Sequence, residues 1–358
     1  MRIGYASFMA VIVHAASFAI GTKGGGFQHN TAIKLSNGLI RNGHLVLNFS
    51  DRDVARAASV MGHSKFGRPA VNRALLDYCR ANRPDLLLLG HADLIEPATV
   101  AEIRNAVPGL RVMQWNVDPL FEPENVARIE AKLGMVDATL VSTGPTALGG
   151  LRIGGRRVGF LPNPVDLSIE RGENHLKAVL PFDLFYACGH PGRPLRRVCG
   201  KDWHMDEFMT ALLAELPGVK PLLAGLHGRP RLGGANYQAA LESAALGLNI
   251  SRRADWPLYS SDRLAQMIGN GMAVLIERAT GYDRLFDDDE MPFFSTFDEL
   301  VAKIRDMVAA PAARQALAAK GRDKYVRLFN ERIVARYLMD FAFDRVHAAV
   351  YGWPAELF

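Results

Sequence analysis

The sequence predicts an α/β protein of two Rossmann-like halves that face a cleft and are closed by C-terminal helices. Three observations predict it. Short apolar runs alternate with helical stretches along almost the whole chain, the pattern of parallel-sheet units. The cluster Pro162-Asn163-Pro164-Val165-Asp166 interrupts that alternation midway, after which it begins again, so it reads as a hinge. Stretches 297–308, 312–328 and 332–350 carry apolar residues at three-and-four spacing and end the chain as amphipathic helices. At 358 residues, 49% hydrophobic and 22% charged, the chain is long enough for two separate cores. The expected domains are 1–162 and 163–335, with 336–358 a helix that packs back on the first.

Taken in order, residues 2–7 read as the first buried strand and the apolar residues after them as the edge of a loop. Residues 6–20 look like a signal-peptide apolar region, but they contain His14, and Gly21-Thr22-Lys23 follows in place of a small-residue cleavage site. At about 15 residues the run is too short to span a bilayer. A helix is expected over 29–42, stopped by Gly43, and then a strand over 44–49. Residues 51–69 are polar and read as a long loop with a helical piece. Helices at 71–81, 98–106 and 123–133 alternate with strands at 84–90, 110–115 and 137–142. The run Pro84-Asp85-Leu86-Leu87-Leu88-Leu89-Gly90 has the continuous apolarity of a strand covered on both faces.

After a strand at 157–161 and the hinge, the second half reads strand 183–188, a polar loop with Arg193, Arg196 and Arg197, helix 205–216, strand 219–224 and helix 235–246. A strand from 247, a short helix and a strand at 272–276 follow, and 292–295 is an edge strand.

Net charge is +5 and the isoelectric point near 9.1. That excess suits an anionic ligand or an anionic membrane surface and lacks the dense basic runs of a nucleic-acid binder. Cys79, Cys188 and Cys199 form no C-x-x-C pair, so neither a disulfide framework nor a zinc site is expected, and reduced cytoplasmic thiols are the natural reading.

The stretch from Gly247 to Ile276 is the expected working centre. Ser260, Ser261 and Asp262 are helix-capping types, and a helix start attracts anions. Ser251, Arg252, Arg253, Tyr259 and Arg263 surround it, the arginines suiting phosphate oxygens. Gly269 and Gly271, with Asn270 between them, end the helix and would let a ligand approach the backbone. A capped helix with solvated arginines is the competing reading. In the first half, His91 and Asp118 each follow an apolar strand, where a side chain enters the crevice. Each reads either as a general base, Asp118 first, or as structural: Asp118 as a helix cap and His91 as a hydrogen-bonded rim residue. Gly24, Gly25, Gly26 and Gln28 form a glycine-rich turn after the first strand. Asp287-Asp288-Asp289-Glu290 reads as a solvated acidic turn rather than a magnesium site.

Lys23-Gly24-Gly25-Gly26-Phe27-Gln28, the leucine run ending in Gly90-His91, Trp115-Asn116-Val117-Asp118-Pro119, Leu161-Pro162-Asn163-Pro164-Val165-Asp166 and Ser260-Ser261-Asp262-Arg263 with Gly269-Asn270-Gly271 together resemble a GT-B glycosyltransferase, in particular the CgeB-like and family-1-like bacterial group. The resemblance spans about residues 2–337. It implies a nucleotide-sugar donor in the second domain and an acceptor in the first. Ser251, Arg252, Tyr259, Ser260, Ser261, Asp262, Arg263, Gln266, Asn270, Gly271 and Arg193 would hold the donor. Gly24, Gly25, Gly26 and Gln28 would approach the transferred sugar. Where the family often grips the ribose with a glutamate, this chain has Gln266, and Glu277 is the alternative acid.

The expected reaction is transfer of a sugar to a hydroxyl of a glycan or lipid-linked acceptor in surface polysaccharide, lipopolysaccharide or glycoconjugate synthesis, without cofactor or metal. A nucleotide-sugar epimerase and a non-catalytic two-lobed solute-binding protein are the alternatives. No nucleic acid is expected as partner. The protein is expected in the cytoplasm, with peripheral contact at the inner membrane as an option for its basic excess. Sugar, nucleotide, stereochemistry and oligomeric state are not legible.

Overall fold

The computed structural model describes residues 9–21, 29–59, 62–144, 148, 151, 157–189, 195–346 and 350–355. The chain divides into two compact units, Met1–Pro162 with Glu331–Phe358, and Asn163–Asn330. The expected boundary at 335/336 therefore falls inside a helix, and the chain returns to the first unit five residues earlier.

Among the described residues the first unit is a six-stranded, all-parallel sheet. Its strands are β1 (Val11–Ala16), β2 (Leu45–Ser50), β3 (Leu86–Gly90), β4 (Arg111–Asn116), β5 (Ala138–Val141) and β6 (Arg157–Phe160), in the order β2-β1-β3-β4-β5-β6. The helices are α1 (Thr31–Arg41), α2 (Asp51–Ala57), α3 (Arg68–Asn82), α4 (Pro97–Ala106), α5 (Pro123–Leu133) and the returning α11 (Glu331–Ala342). The leucines of β3 are all buried, each contributing roughly 2 kcal/mol relative to an exposed position.

The strand expected over 2–7 lies outside the described residues, and the run read as a loop edge is β1 itself. Val-Ile-Val-His-Ala-Ala is flanked by β2 on one side and β3 on the other. The run is apolar enough for a doubly covered strand, and its one polar member is neutralised in place. His14 is fully buried, with Nδ1 2.8 Å from Ser36 Oγ and Nε2 accepting from Trp115 Nε1 at 3.1 Å. Burial pushes its pKa down to about 3. Gly38 of α1 lies so close to α11 that a Cβ there would meet Glu331 O at 2.0 Å, and Arg41 Nη1 pairs with Glu331 Oε1 at 2.7 Å.

The second unit repeats the winding. Strands β7 (Phe182–Ala187), β10 (Pro221–Ala224), β11 (Ala244–Asn249), β12 (Ala273–Glu277) and β13 (Phe293–Phe294) run parallel in the order β10-β7-β11-β12-β13. Counted within each unit, both sheets place the first strand between the second and the third. The order reverses between first and third strands, β1 and β3 in one unit, β7 and β11 in the other, and ligands of open α/β sheets bind beyond the carboxyl ends at that point. The helices are α6 (Met205–Ala214), α7 (Gly234–Leu241), α8 (Arg263–Gly269), α9 (Phe297–Ala309) and α10 (Pro311–Phe329).

Two expectations fail here. The helix expected over 235–246 stops at Leu241, and the strand begins at Ala244. Within an alanine-rich sequence a single serine, Ser243, is the one turn-favouring residue at the change, and burial of all six β11 residues decides it. The polar loop expected to hold Arg196 and Arg197 is an antiparallel hairpin of β8 (Leu195–Val198) and β9 (Lys201–His204). Its two turn residues, Cys199 and Gly200, have φ of 50° and 76°, the left-handed pair of a tight hairpin turn. Glu277 Oε1 accepts from Cys199 N at 3.1 Å and holds that turn.

Among the described residues no helix is long and apolar enough to cross a membrane.

Candidate functional site

In the second unit the carboxyl ends of β7 and β11 meet the start of α8. Arg263 Nη2 donates to Ile250 O at 3.4 Å, just past β11, and its guanidinium lies 5.9 Å from the centre of the Tyr186 ring on β7. A Cβ on Gly189, just past β7, would sit 3.7 Å from Arg263 Nη1. One arginine therefore bridges both strands at the switch point. Around it stand polar atoms buried with no hydrogen-bond partner among the described residues: both amide atoms of Asn249, Ser251 Oγ, Ser261 Oγ and Arg263 Nε. Each such atom costs about 1–3 kcal/mol if left unmet. Burial pushes the Tyr186 and Tyr237 hydroxyls up, so both remain donors.

The other expected donor residues have different occupations. Ser260 does not cap α8. Its Oγ is 2.9 Å from Tyr282 Oη and accepts from Asn163 Nδ2 at 3.1 Å, fixing the loop to the start of the unit. The N-cap residue is Asp262, without a side-chain capping bond. Gln266 is buried, its Oε1 taking the Tyr237 hydroxyl at 2.7 Å and its Nε2 donating to Asp262 at 3.2 Å. Both ends of the amide thus hold neighbours within the unit.

Asn270 is fully buried, and its Oδ1 accepts from Gly172 N and Gln238 Nε2. A Cβ on Gly269 would strike Val165 and Glu170, and one on Gly271 would strike His175. These glycines admit the 165–175 segment where a ligand was expected. Gly271, at φ 84°, also ends α8 in the left-handed region. Arg253 closes a surface pair with Asp255 at 2.5 and 2.9 Å. Arg252 accepts at its carbonyl from Arg197 N and is half-buried, and Tyr259 is buried. Glu277 supports the hairpin turn, and burial raises its pKa. Arg193, Gly24, Gly25, Gly26 and Gln28 lie outside the described residues.

In the first unit the structure brings His91 and Asp118 together. His91 Nδ1 is 3.4 Å from Asp118 Oδ2, which also takes Arg128 Nη2 at 3.0 Å. Asp118 caps no helix: its backbone N–H bonds Asn116 Oδ1 at 2.7 Å, which turns its carboxylate back toward His91. His91 and Ala92 both have positive φ, 58° and 38°, an uncommon and costly pair for residues with a Cβ. Two contacts hold that strained turn. Lys132 Nζ donates to His91 O at 2.9 Å, and the Trp115 ring stands edge-on at 5.5 Å. Gly90 is required beneath it, because a Cβ there would lie 2.2 Å from Trp115. Val117 N–H points at His91 Nε2 at 3.4 Å.

Sequence reasoning missed Arg128 and Lys132. Their only signal was that they are the two basic residues of α5, four apart and so on one face of the helix. Burial pushes the Lys132 ammonium down, an effect that neighbouring Asp93 partly offsets.

The acidic turn is solvated as expected, Asp287, Asp288 and Asp289 being exposed, and it is ion-paired as well: Arg278 binds Asp288 at 2.8 Å, Lys320 binds Asp289 at 2.7 Å, and Lys324 binds Glu290. Among the described residues no group of three or more His, Cys, Asp or Glu is placed to hold a metal ion.

Residues 196–340 match the family described as glycosyl transferase-like. Among solved structures, HepE from Anabaena in complex with UDP is similar over 94% of this chain and 100% of its own, at 12% identity and a TM-score of 0.59. A glycosyltransferase from Rickettsia africae is similar over 94% and 99%, at 9% identity and 0.56. AviGT4, a glycosyltransferase involved in avilamycin A biosynthesis, is similar over 93% and 97%, at 16% identity and 0.55. No curated protein matches the sequence. The chain has the fold of the GT-B glycosyltransferases, as the motifs implied; nothing separates out the CgeB-like group.

Proposed function

We propose that the protein is a metal-independent glycosyltransferase that takes a nucleotide sugar in its second unit and transfers the sugar to a hydroxyl of an acceptor held by its first. The observation that carries this reading is the set of unmet polar atoms on Asn249, Ser251, Ser261 and Arg263 at the switch point of the second sheet. A diphosphate offers the acceptor oxygens that Asn249 Nδ2, the two serine hydroxyls and Arg263 Nε need, Asn249 Oδ1 being left for a hydroxyl of the nucleotide sugar, and a guanidinium suits a diphosphate because it forks. UDP is the first candidate, since HepE is in complex with it.

In the reaction the acceptor oxygen attacks the anomeric carbon, and the carbon–oxygen bond to the diphosphate breaks. The electron pair leaves with the nucleoside diphosphate, whose growing charge Arg263 offsets. Asp118 takes the acceptor proton, as an inverting transfer requires. His91 is its positioning residue: with Nδ1 toward Asp118 and Nε2 toward Val117 N–H, both ring nitrogens are engaged.

The test is a thermal-shift screen of the full chain with UDP, GDP, ADP and CMP, followed by release of free nucleotide from the matching sugars with and without chelator. A ligand that binds only the folded state raises the melting temperature. UDP is expected to raise it, and turnover to persist in EDTA. No shift with any nucleotide would remove the donor site; turnover lost in EDTA and restored by manganese would remove the metal-independent mechanism.

A further inference from the structure

Beside the His91–Asp118 pair the first unit holds a pocket of about 320 Å³, whose charged lining is Arg68, Asp93, Glu96, Arg128 and Lys132. Three cations suggest an anion site at first sight, but their distances argue otherwise. Arg68 Nε is 3.8 Å from Glu96, Arg128 Nη1 is 3.6 Å from Asp93 and Lys132 Nζ is 3.9 Å from Asp93. Every cation faces a carboxylate, Arg128 and Lys132 sharing Asp93 and Arg128 also meeting Asp118, so a phosphate entering here would meet like charge beside the positive groups. Fixed charges of alternating sign suit a neutral ligand with many dipoles.

Two atoms narrow the ligand further. Asp93 Oδ1 and Arg128 Nε are buried and have no hydrogen-bond partner among the described residues. One only accepts and the other only donates, and their side chains are 3.6 Å apart. A hydroxyl does both at once. The remaining wall, Ile95, Pro97, Ala127 and Ala131, is aliphatic and suits the C–H face of a ring.

We infer that this pocket receives a neutral sugar ring of the acceptor, one hydroxyl bridging Arg128 Nε and Asp93 Oδ1. The inference rests on the glycosyltransferase reading for the word acceptor, and on the pocket alone for the word sugar. Its place beside the proposed base follows from shared residues: Arg128 also binds Asp118 Oδ2, and Lys132 also binds the His91 carbonyl. A ring seated here stiffens the two side chains that hold the base, so binding and proton removal are coupled.

Saturation-transfer NMR of the full chain with methyl glucosides, galactosides and mannosides, without donor, tests this directly. At least one is expected to receive saturation, to lose it in Ala131→Trp, and to be unaffected by inorganic phosphate. Ala131 and Ala127 are both exposed on α5, so filling the pocket from either leaves the core untouched, and Ala127→Leu serves if the tryptophan variant does not fold. The inference is overturned if none of these glycosides is saturated, if saturation survives in the filled pocket, or if phosphate displaces it. Because the readout needs no nucleotide, its failure and a failed nucleotide shift are separate results.

Discussion

The two sheets wind the same way and differ at their carboxyl edges. In the second unit the switch point carries polar atoms that lack partners among the described residues, gathered around one arginine that bridges β7 and β11. In the first unit the corresponding edge is mostly ion-paired: Asp93 has Arg52, Arg128 and Lys132 within 3.9 Å, Asp118 has His91 and Arg128, and Asp93 Oδ1 and Arg128 Nε are left without a hydrogen bond among the described residues. Unmet donors raise the energy of the unliganded state and are relieved by a ligand rich in acceptors. A paired network instead fixes geometry in advance, which a proton-transfer group needs, since a small misplacement costs much of its effect. The difference is what the proposed function calls for, with diphosphate recognition in one unit and acceptor activation in the other.

The largest expected effect breaks the first unit's side of this comparison. Asp118→Asn is expected to lower the transfer rate by roughly 10²–10⁴-fold, with the nucleotide-induced rise in melting temperature unchanged. A loss of both together, measured on one preparation, would erase the division of labour. Next comes the second unit. Arg263→Ala is expected to cut kcat/KM for the donor by about 100-fold or more and to abolish the nucleotide shift. Arg263→Lys recovers only part, because an ammonium cannot fork between two phosphate oxygens. An alanine variant that still binds nucleotide normally would show that the unmet atoms have another use.

The smallest effect concerns stability. His14 stays neutral in the fold, its pKa pushed down by burial to about 3, whereas the unfolded chain protonates near 6.5. Unfolding therefore takes up a proton within that window. Stability conferred by the neutral imidazole is full above pH 6.5 and falls as pH drops, at most by roughly 1.4 kcal/mol per pH unit. Urea titrations at pH 7.5, 6 and 5 are expected to show a shallower decline for His14→Gln than for the parent. Equal slopes would mean that His14 is protonated in the fold or has little part in acid sensitivity.

Much of the fold was legible because parallel-sheet strands announce themselves as apolar runs. Residues 86–90 and 273–276 read correctly from hydrophobicity alone, and α5 was legible from end to end. The failures share a cause. β1 contains a histidine whose neutrality depends on Ser36 and Trp115, neither near it in sequence. The β8–β9 turn uses Cys-Gly in place of Asn-Gly, so a lone glycine is all that marks it. Among the site residues, Arg263 and Ser251 lie past the carboxyl ends of β7 and β11, and His91 and Asp118 meet as strand-end residues do. Asn270, Gly271, Ser260 and Gln266 have the right residue types but hold the protein's own segments, a choice that composition cannot express.

The sequence by itself determined the two sheets, the place where the chain restarts and the polar character of the strand ends, because hydrophobic periodicity and glycine–proline punctuation are local properties. Only the tertiary structure decided which polar groups are satisfied by neighbours and which have no partner among the described residues. Hydrogen bonding is a pairwise property of atoms distant along the chain. Asn249 and Asn270 are the same residue type in the same α/β unit, one with both amide atoms unmet among the described residues and the other with its carbonyl oxygen shared by two donors; folding alone separates them.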